Sequence, residues 1–387
     1  MQCKSTRLES PDKTFLDMDL LGYALELGGL YSFHCTLNLL MCSTDTCDGS
    51  KLNDAVDRCA RRCQCVNGRL VNCCRVRRDY VDLTREDRLA YINAFITIVF
   101  DPIYQNRYND LIALYRASFQ NNASQSTSPQ NSQFFVFARY FMLEYEDILK
   151  DINCSLTIPY WDWTPFPTTP YSAAVWSNDD GFGDTSRAED GCVITGPVRI
   201  GAFFVSPSAG SGCLRRDYRN QRFPSRDIVV RDLLPLTMNE FDEFHRFLQL
   251  FIGLNVQCFV GGTMCSSDAA NDPVFLLHLA QLDSLLTRWQ LLGAGRDRVR
   301  YATDNGPLIF SPGFTVAQFS SNLNLPYGNC ILYDPPALLK NHAPPPVTLA
   351  SLDVPARVAT MDCAPHEMMG FMNMTEADDQ FMEEHCS

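Results

Sequence analysis

The chain has 387 residues, 46% of them hydrophobic, enough to bury a sizeable core in one or two domains. A formal net charge of −13, from acids spread along the whole sequence, argues against nucleic-acid backbones and anionic membranes as partners. No apolar run reaches the roughly eighteen residues that a membrane-spanning helix needs.

Residues 1–34 mix charged and apolar positions, with a short helix expected around Phe15 to Leu30. The apolar stretch Leu16 to Tyr31 is broken by Asp17, Asp19 and Glu26, unlike a signal peptide. Residues 35–75 follow. Of the seventeen cysteines, eight fall here, at Cys35, Cys42, Cys47, Cys59, Cys63, Cys65, Cys73 and Cys74. That density reads as a small loop-rich module stapled by disulfides in a secreted protein. Paired CxxC knuckles are absent and only His34 is nearby, so disulfides are favoured over zinc. The sequons at Asn122, Asn153 and Asn373 agree with a secreted glycoprotein.

From Leu83 to Val99 the pattern predicts an amphipathic helix with Thr84 as N-cap and Glu86 and Asp87 in its first turn. Tyr108 to Phe119 predicts a second helix, and the polar stretch at 121–133 an exposed loop. Helical spacing returns over Phe134–Leu149, Asn239–Ile252 and Asn271–Gln290. Residues 165–235, rich in Pro, Gly, Asp and Ser, read as long surface loops. The part beyond about 296 reads as a loop-rich extension with a Pro-rich linker near residue 340.

Two motifs carry a family resemblance. Asn271–Gln290 reads NDPVFLLHLAQLDSLLTRWQ and follows Gly261-Gly262; Phe134–Thr164 reads FFVFARYFMLEYEDILKDINCSLTIPYWDWT. Both resemble the copper-site segments of tyrosinases and molluscan haemocyanin units, and GCVITGPV at Gly191–Val198 resembles the stretch between them. Residues 63–84 resemble the cysteine-rich lead-in of secreted invertebrate tyrosinases of molluscan type. The resemblance implies a mainly α fold over 76–295: a four-helix bundle core with long irregular loops, preceded by the small disulfide-rich module and followed by the extension at 296–387.

In that family, histidines on antiparallel helices hold two copper ions, neutral imidazole being a good copper donor. This chain has six histidines in all: His34, His245, His278, His342, His366 and His385. Carried over residue by residue, the ligand positions of the first site fall on Tyr115, Pro129 and Ala138, and those of the second on Gly253, Gln257 and Leu279. His278 matches the non-ligand partner of the last pair and is expected to be a satisfied core histidine. His245 is expected on a solvated face because acids flank it, Cys258 and Cys265 as a disulfide, and the methionines from Met368 to Met374 as incidental. Arg139, Trp161, Asp162, Trp163, Asp272, Pro273, Asp283 and Trp289 stand as retained scaffold.

The expectation is therefore a secreted, copper-free, tyrosinase-like pseudoenzyme with no cofactor. It would serve as a structural, extracellular-matrix or interaction protein, with other secreted proteins as partners. Two alternatives are a copper-dependent phenol or catechol oxidase, as the family implies, and a small-ligand binder using a pocket lined by Tyr115, Ala138, Gly253, Gln257, His278 and Leu279.

Overall fold

The computed structural model describes residues 47, 55–126, 133–205, 212–292, 304–308, 311–335, 363–364 and 376–386. All of them fall in one unit, Thr46–Ser387. The cysteine-rich stretch is a sheet where the sequence reads as loops. Strands β1 (Ala55–Val56), β2 (Arg62–Val66) and β3 (Arg69–Arg77) pair antiparallel. Between β2 and β3 stand Asn67 and Gly68 with φ of 52° and 75°, the left-handed pair that a two-residue hairpin turn requires.

Later in the chain, β4 (Pro307–Leu308) and β5 (Ser311–Thr315) form a separate hairpin, and β6 (Ile331–Tyr333) joins β3 in parallel. The sheet order is β1-β2-β3-β6, with Arg77 opposite Tyr333. Disulfides Cys47–Cys65 and Cys63–Cys73 staple the sheet itself. Two more leave it, Cys59–Cys154 towards the helices and Cys74–Cys330 towards β6. Cys35 and Cys42 lie outside the described residues.

The fold is mainly helical. Helix α1 (Arg85–Phe100) starts at Thr84, whose side chain accepts the Asp87 amide at 3.1 Å, with Glu86 and Asp87 against the positive end of the helix dipole. Helix α2 (Pro102–Ser126) continues into the polar stretch expected to be a loop: a polar composition bars packing, not helical backbone. Helix α3 (Phe134–Ile152) is apolar on most sides yet buries Arg139 and Glu146.

The next helical rod changes its winding. It runs through α4 (Phe241–Arg246), a π-helical segment Phe247–Leu254, and α5 (Asn255–Val260). It stops where Gly261 and Gly262 take φ of 74° and 58°. A Cβ on Gly262 would lie 2.3 Å from the Arg215 carbonyl oxygen, so no other residue fits that turn. Helix α6 (Pro273–Leu291) begins with Pro273 in its first turn, and the Asp272 carboxylate accepts the Val274 amide at 2.9 Å. Helix α6 packs on α3 and on the π-helical segment.

Residues 165–235 are irregular but are not surface loops. Val175, Trp176, Phe182, Val193 and Phe203 are fully buried there, and Phe203 stacks on Phe95 of α1 at 5.7 Å. Low periodicity marks missing regular structure, whereas these aromatic side chains carry the apolar area that drives burial. The C-terminal part also adds regular structure beyond the expected loops. The Ala364 amide donates to Asn255 Oδ1 at 2.7 Å, and α7 (Glu376–His385) sets Phe381 and His385 against Phe247. Disulfide Cys363–Cys386 and the pair Arg246–Asp378, at 3.0 Å, fasten it.

Candidate functional site

The positions carried over from the family's ligands lie on α2 (Tyr115), α3 (Ala138), the π-helical segment (Gly253), α5 (Gln257) and α6 (Leu279), all buried. Pro129 is outside the described residues. The Tyr115 ring packs against Phe141 at 5.4 Å and Phe275 at 4.9 Å, and burial raises its phenol well above the ordinary range, so it stays neutral. At Gly253 a Cβ would meet a Leu282 methyl at 3.0 Å and the Leu248 carbonyl oxygen at 3.1 Å. Side chains already fill the space beside that backbone.

His278 is fully buried and both ring nitrogens are engaged. Nδ1 accepts the Trp163 indole N–H at 3.3 Å, and Nε2 donates to the Gly253 carbonyl oxygen at 3.1 Å. Loss of hydration on burial, only partly opposed by the Gly253 contact, pushes its pKa down to about 3, so the imidazole is neutral at physiological pH. His245, expected on a solvated face, is instead 2% exposed, with its ring 4.8 Å from Phe135 and 6.0 Å from Phe241. Its acidic neighbours Asp242 and Glu243 sit two and three residues back and point elsewhere around the helix.

The strongest electrostatics lie in a buried charge network beside these positions. Arg139 Nε donates to Asp283 Oδ1 at 2.6 Å, and its other nitrogens reach the Phe319 and Ser320 carbonyls, Thr287 and Gln290. The second Asp283 oxygen accepts Tyr333 at 2.7 Å, Asn322 at 2.8 Å and Arg77 at 3.5 Å. Glu146 accepts Arg77 at 2.8 Å, Arg75 at 3.0 Å and the Ile158 amide at 3.1 Å. Burial alone would raise both carboxyls; for Glu146 the guanidinium groups of Arg77 and Arg75 win, and for Asp283 those of Arg139 and Arg77, so each is held below its ordinary value.

A second clamp joins Arg216 to Asp272 by two bonds, at 2.7 and 2.8 Å, with both side chains fully buried. The Arg216 guanidinium also lies over the Trp176 ring at 5.1 Å. Asp162 accepts the Thr164 amide and hydroxyl and the Gln281 side chain, while Trp161 donates its backbone amide to Leu277. Trp289 stacks on Phe244 at 4.2 Å.

Arg75, Arg77, Glu146, Arg216, Asn322 and Tyr333 escaped the sequence reading. The alternation Arg75-Val76-Arg77 on a strand was the available signal, since residues two apart share a face. Cys258–Cys265 forms the expected disulfide. Among the described residues, only Asp57, Cys63 and Cys73 bring three metal-type donor atoms within 4.8 Å of one another, and there the two sulfurs form a disulfide. Asn153 is exposed at the end of α3, with its Oδ1 accepting the Ser155 hydroxyl at 2.8 Å. Asn122 lies within α2, and Asn373 lies outside the described residues, as do Met368 to Met374.

Residues 105–292 match a family described as the common central domain of tyrosinase. A tyrosinase of Streptomyces antibioticus is 28% identical over 233 residues, covering 56% of this chain and 82% of its own length. A tyrosinase of Aspergillus flavus is 27% identical over 235 residues, covering 56% of this chain and 63% of its own length. Among solved structures, a variant polyphenol oxidase of Thermothelomyces thermophila shares the fold, with a TM-score of 0.52 at 20% identity over 68% of this chain and 89% of that chain.

Proposed function

Residues 105–292 belong to the tyrosinase family, and from that premise we propose that this chain keeps the family's helical core as a copper-free scaffold without oxidase activity. The observation that carries the reading is His278: one ring nitrogen accepts from Trp163 and the other donates to Gly253, leaving no lone pair for a metal. The donor set around it points the same way. Ala138, Gly253 and Leu279 offer no side-chain donor, and the buried neutral phenol of Tyr115 and the amide of Gln257 are poor copper ligands. A dinuclear copper pair therefore does not fit these residues, and no catalytic step is derived through one.

The core we assign to this role consists of α2, α3, the rod from α4 to α5, and α6, arranged as the family's four-helix bundle. Tyr115 and the Leu282 methyl supply bulk at its centre, which favours a filled interior over a ligand-holding cavity. The disulfides favour an oxidising compartment, hence secretion, with Asn153 exposed for a glycan. A secreted fold without chemistry acts through its surface, so the role is structural, as a matrix or interaction component.

The test is copper content by mass spectrometry after incubation with copper and dialysis, together with a catechol-oxidation assay. The expected result is no retained copper and no turnover. A retained copper pair with turnover would establish the oxidase reading that the relatives' names carry.

A further inference from the structure

Helices α2 and α3 lie side by side, and between them opens a cavity of about 320 Å³. Its floor is apolar, from Leu111, Leu114 and Ile148, and one wall is the Tyr140 ring. These residues recur every three or four positions, so a single face of each helix builds the cavity. Tyr140 is held from behind by Phe314 at 5.7 Å and Phe319 at 5.6 Å.

The charges are unevenly matched. Arg107 is tied to Asp151 at 2.5 Å, and Lys150 to Asp147 at 2.5 Å. Asp110 and Glu144, which also line the cavity, have no ion-pair partner among the described residues. Both cations near the cavity are thus already committed, and two carboxylates face an apolar and aromatic groove without a counter-charge. Partial burial, and next the neighbouring Asp147, raise the Glu144 carboxyl above its ordinary value, so an arriving cation would relieve an existing cost.

We propose that this groove binds a primary ammonium on an alkyl stem, specifically the lysine side chain of a partner protein. The apolar floor takes the methylenes, Glu144 and Asp110 take the ammonium, and the Tyr140 face adds a cation–π contact. A lysine suits the groove better than a free diamine, because one end is closed by the Arg107–Asp151 pair, which would repel a second ammonium. The site is independent of the copper question, since no position carried over from the family's ligands lines it.

The test is saturation-transfer NMR and calorimetric titration of the full chain with Nα-acetyl-lysine methylamide. The controls are the norleucine analogue, which keeps the stem and loses the charge, and 1,5-diaminopentane. The expected result is saturable binding of the lysine probe that weakens at high salt, with at least tenfold tighter binding than the norleucine probe. The double variant D110N/E144Q should lose that preference while its thermal unfolding stays that of the parent, as both carboxylates are at least partly exposed. Equal binding of the two probes, an unchanged preference in the folded double variant, or tighter binding of the free diamine would overturn the proposal.

Discussion

Acidification should destabilise this fold through His278 alone by an amount the structure fixes. The unfolded histidine takes a proton near pH 6.5, whereas the folded one refuses it until about pH 3. Between those values the unfolded chain binds more protons, so stability rises with pH there: it is complete above pH 6.5 and drains as pH falls. Each unit is worth about 1.4 kcal/mol, so moving from pH 7 to pH 5 costs about 2 kcal/mol from this one group. The comparison protein is His278→Gln, whose amide can donate to the Gly253 carbonyl and accept from Trp163 but cannot titrate. Urea unfolding at both pH values, followed by tryptophan fluorescence with disulfides intact, gives the two losses. Glu146 and Asp283, held below their ordinary values, lose stability at lower pH in both proteins and cancel in the difference. The parent should lose about 2 kcal/mol more than the variant. Equal losses would mean that the imidazole is not sealed in the neutral form, and the argument against metal binding would lose its main support.

Two further outcomes follow from the clamps. Arg216→Met should cost about 3–5 kcal/mol in the same unfolding assay, because it strands the fully buried Asp272 carboxylate, and adding Asp272→Asn should recover part of that loss. Replacing both Cys74 and Cys330 with serine removes a link between residues 256 apart and should cost up to about 5 kcal/mol, read as a lowered denaturation midpoint.

The helix starts were legible because each is a local event. Thr84 with Asp87, and Asp272 with Pro273, satisfy free amides within a few residues, and that chemistry shows in the letters. The hairpin at Asn67-Gly68 was equally legible but was masked by the cysteines around it, whose density suggested loops. The winding of the rod from Phe241 to Val260 left no such mark. Its apolar residues run almost continuously, so no periodicity distinguishes an α-helical from a π-helical turn. His245 was misjudged because neighbours in sequence were taken as neighbours in space, and on a helix the residues two and three back lie around the cylinder. The burial of residues 165–235 depends on partners such as Phe95, far along the chain, and no local pattern encodes it.

The scaffold residues and the carried-over ligand positions differ in what a substitution there costs, and this explains how such a fold keeps its shape without a metal. Asp283 is buried among donors from Arg139, Arg77, Asn322 and Tyr333, and Glu146 among Arg77, Arg75 and the Ile158 amide. Removing one member leaves a buried charge short of partners, at a cost of about 3–5 kcal/mol, a large share of the stability of a typical domain. A metal ligand, once the metal is absent, carries no such obligation. Alanine, glycine or leucine at 138, 253 and 279 need only fill volume, and a Leu282 methyl at 3.0 Å from the Cβ position of residue 253 does so. The charge network is also complete without the ligand set: none of its hydrogen bonds runs through Tyr115, Ala138, Gly253, Gln257 or Leu279. The helices are therefore held in register by ion pairs that neither contact nor depend on a copper centre, and chemistry at that centre can disappear while the arrangement of α3, α6 and the sheet beside them persists.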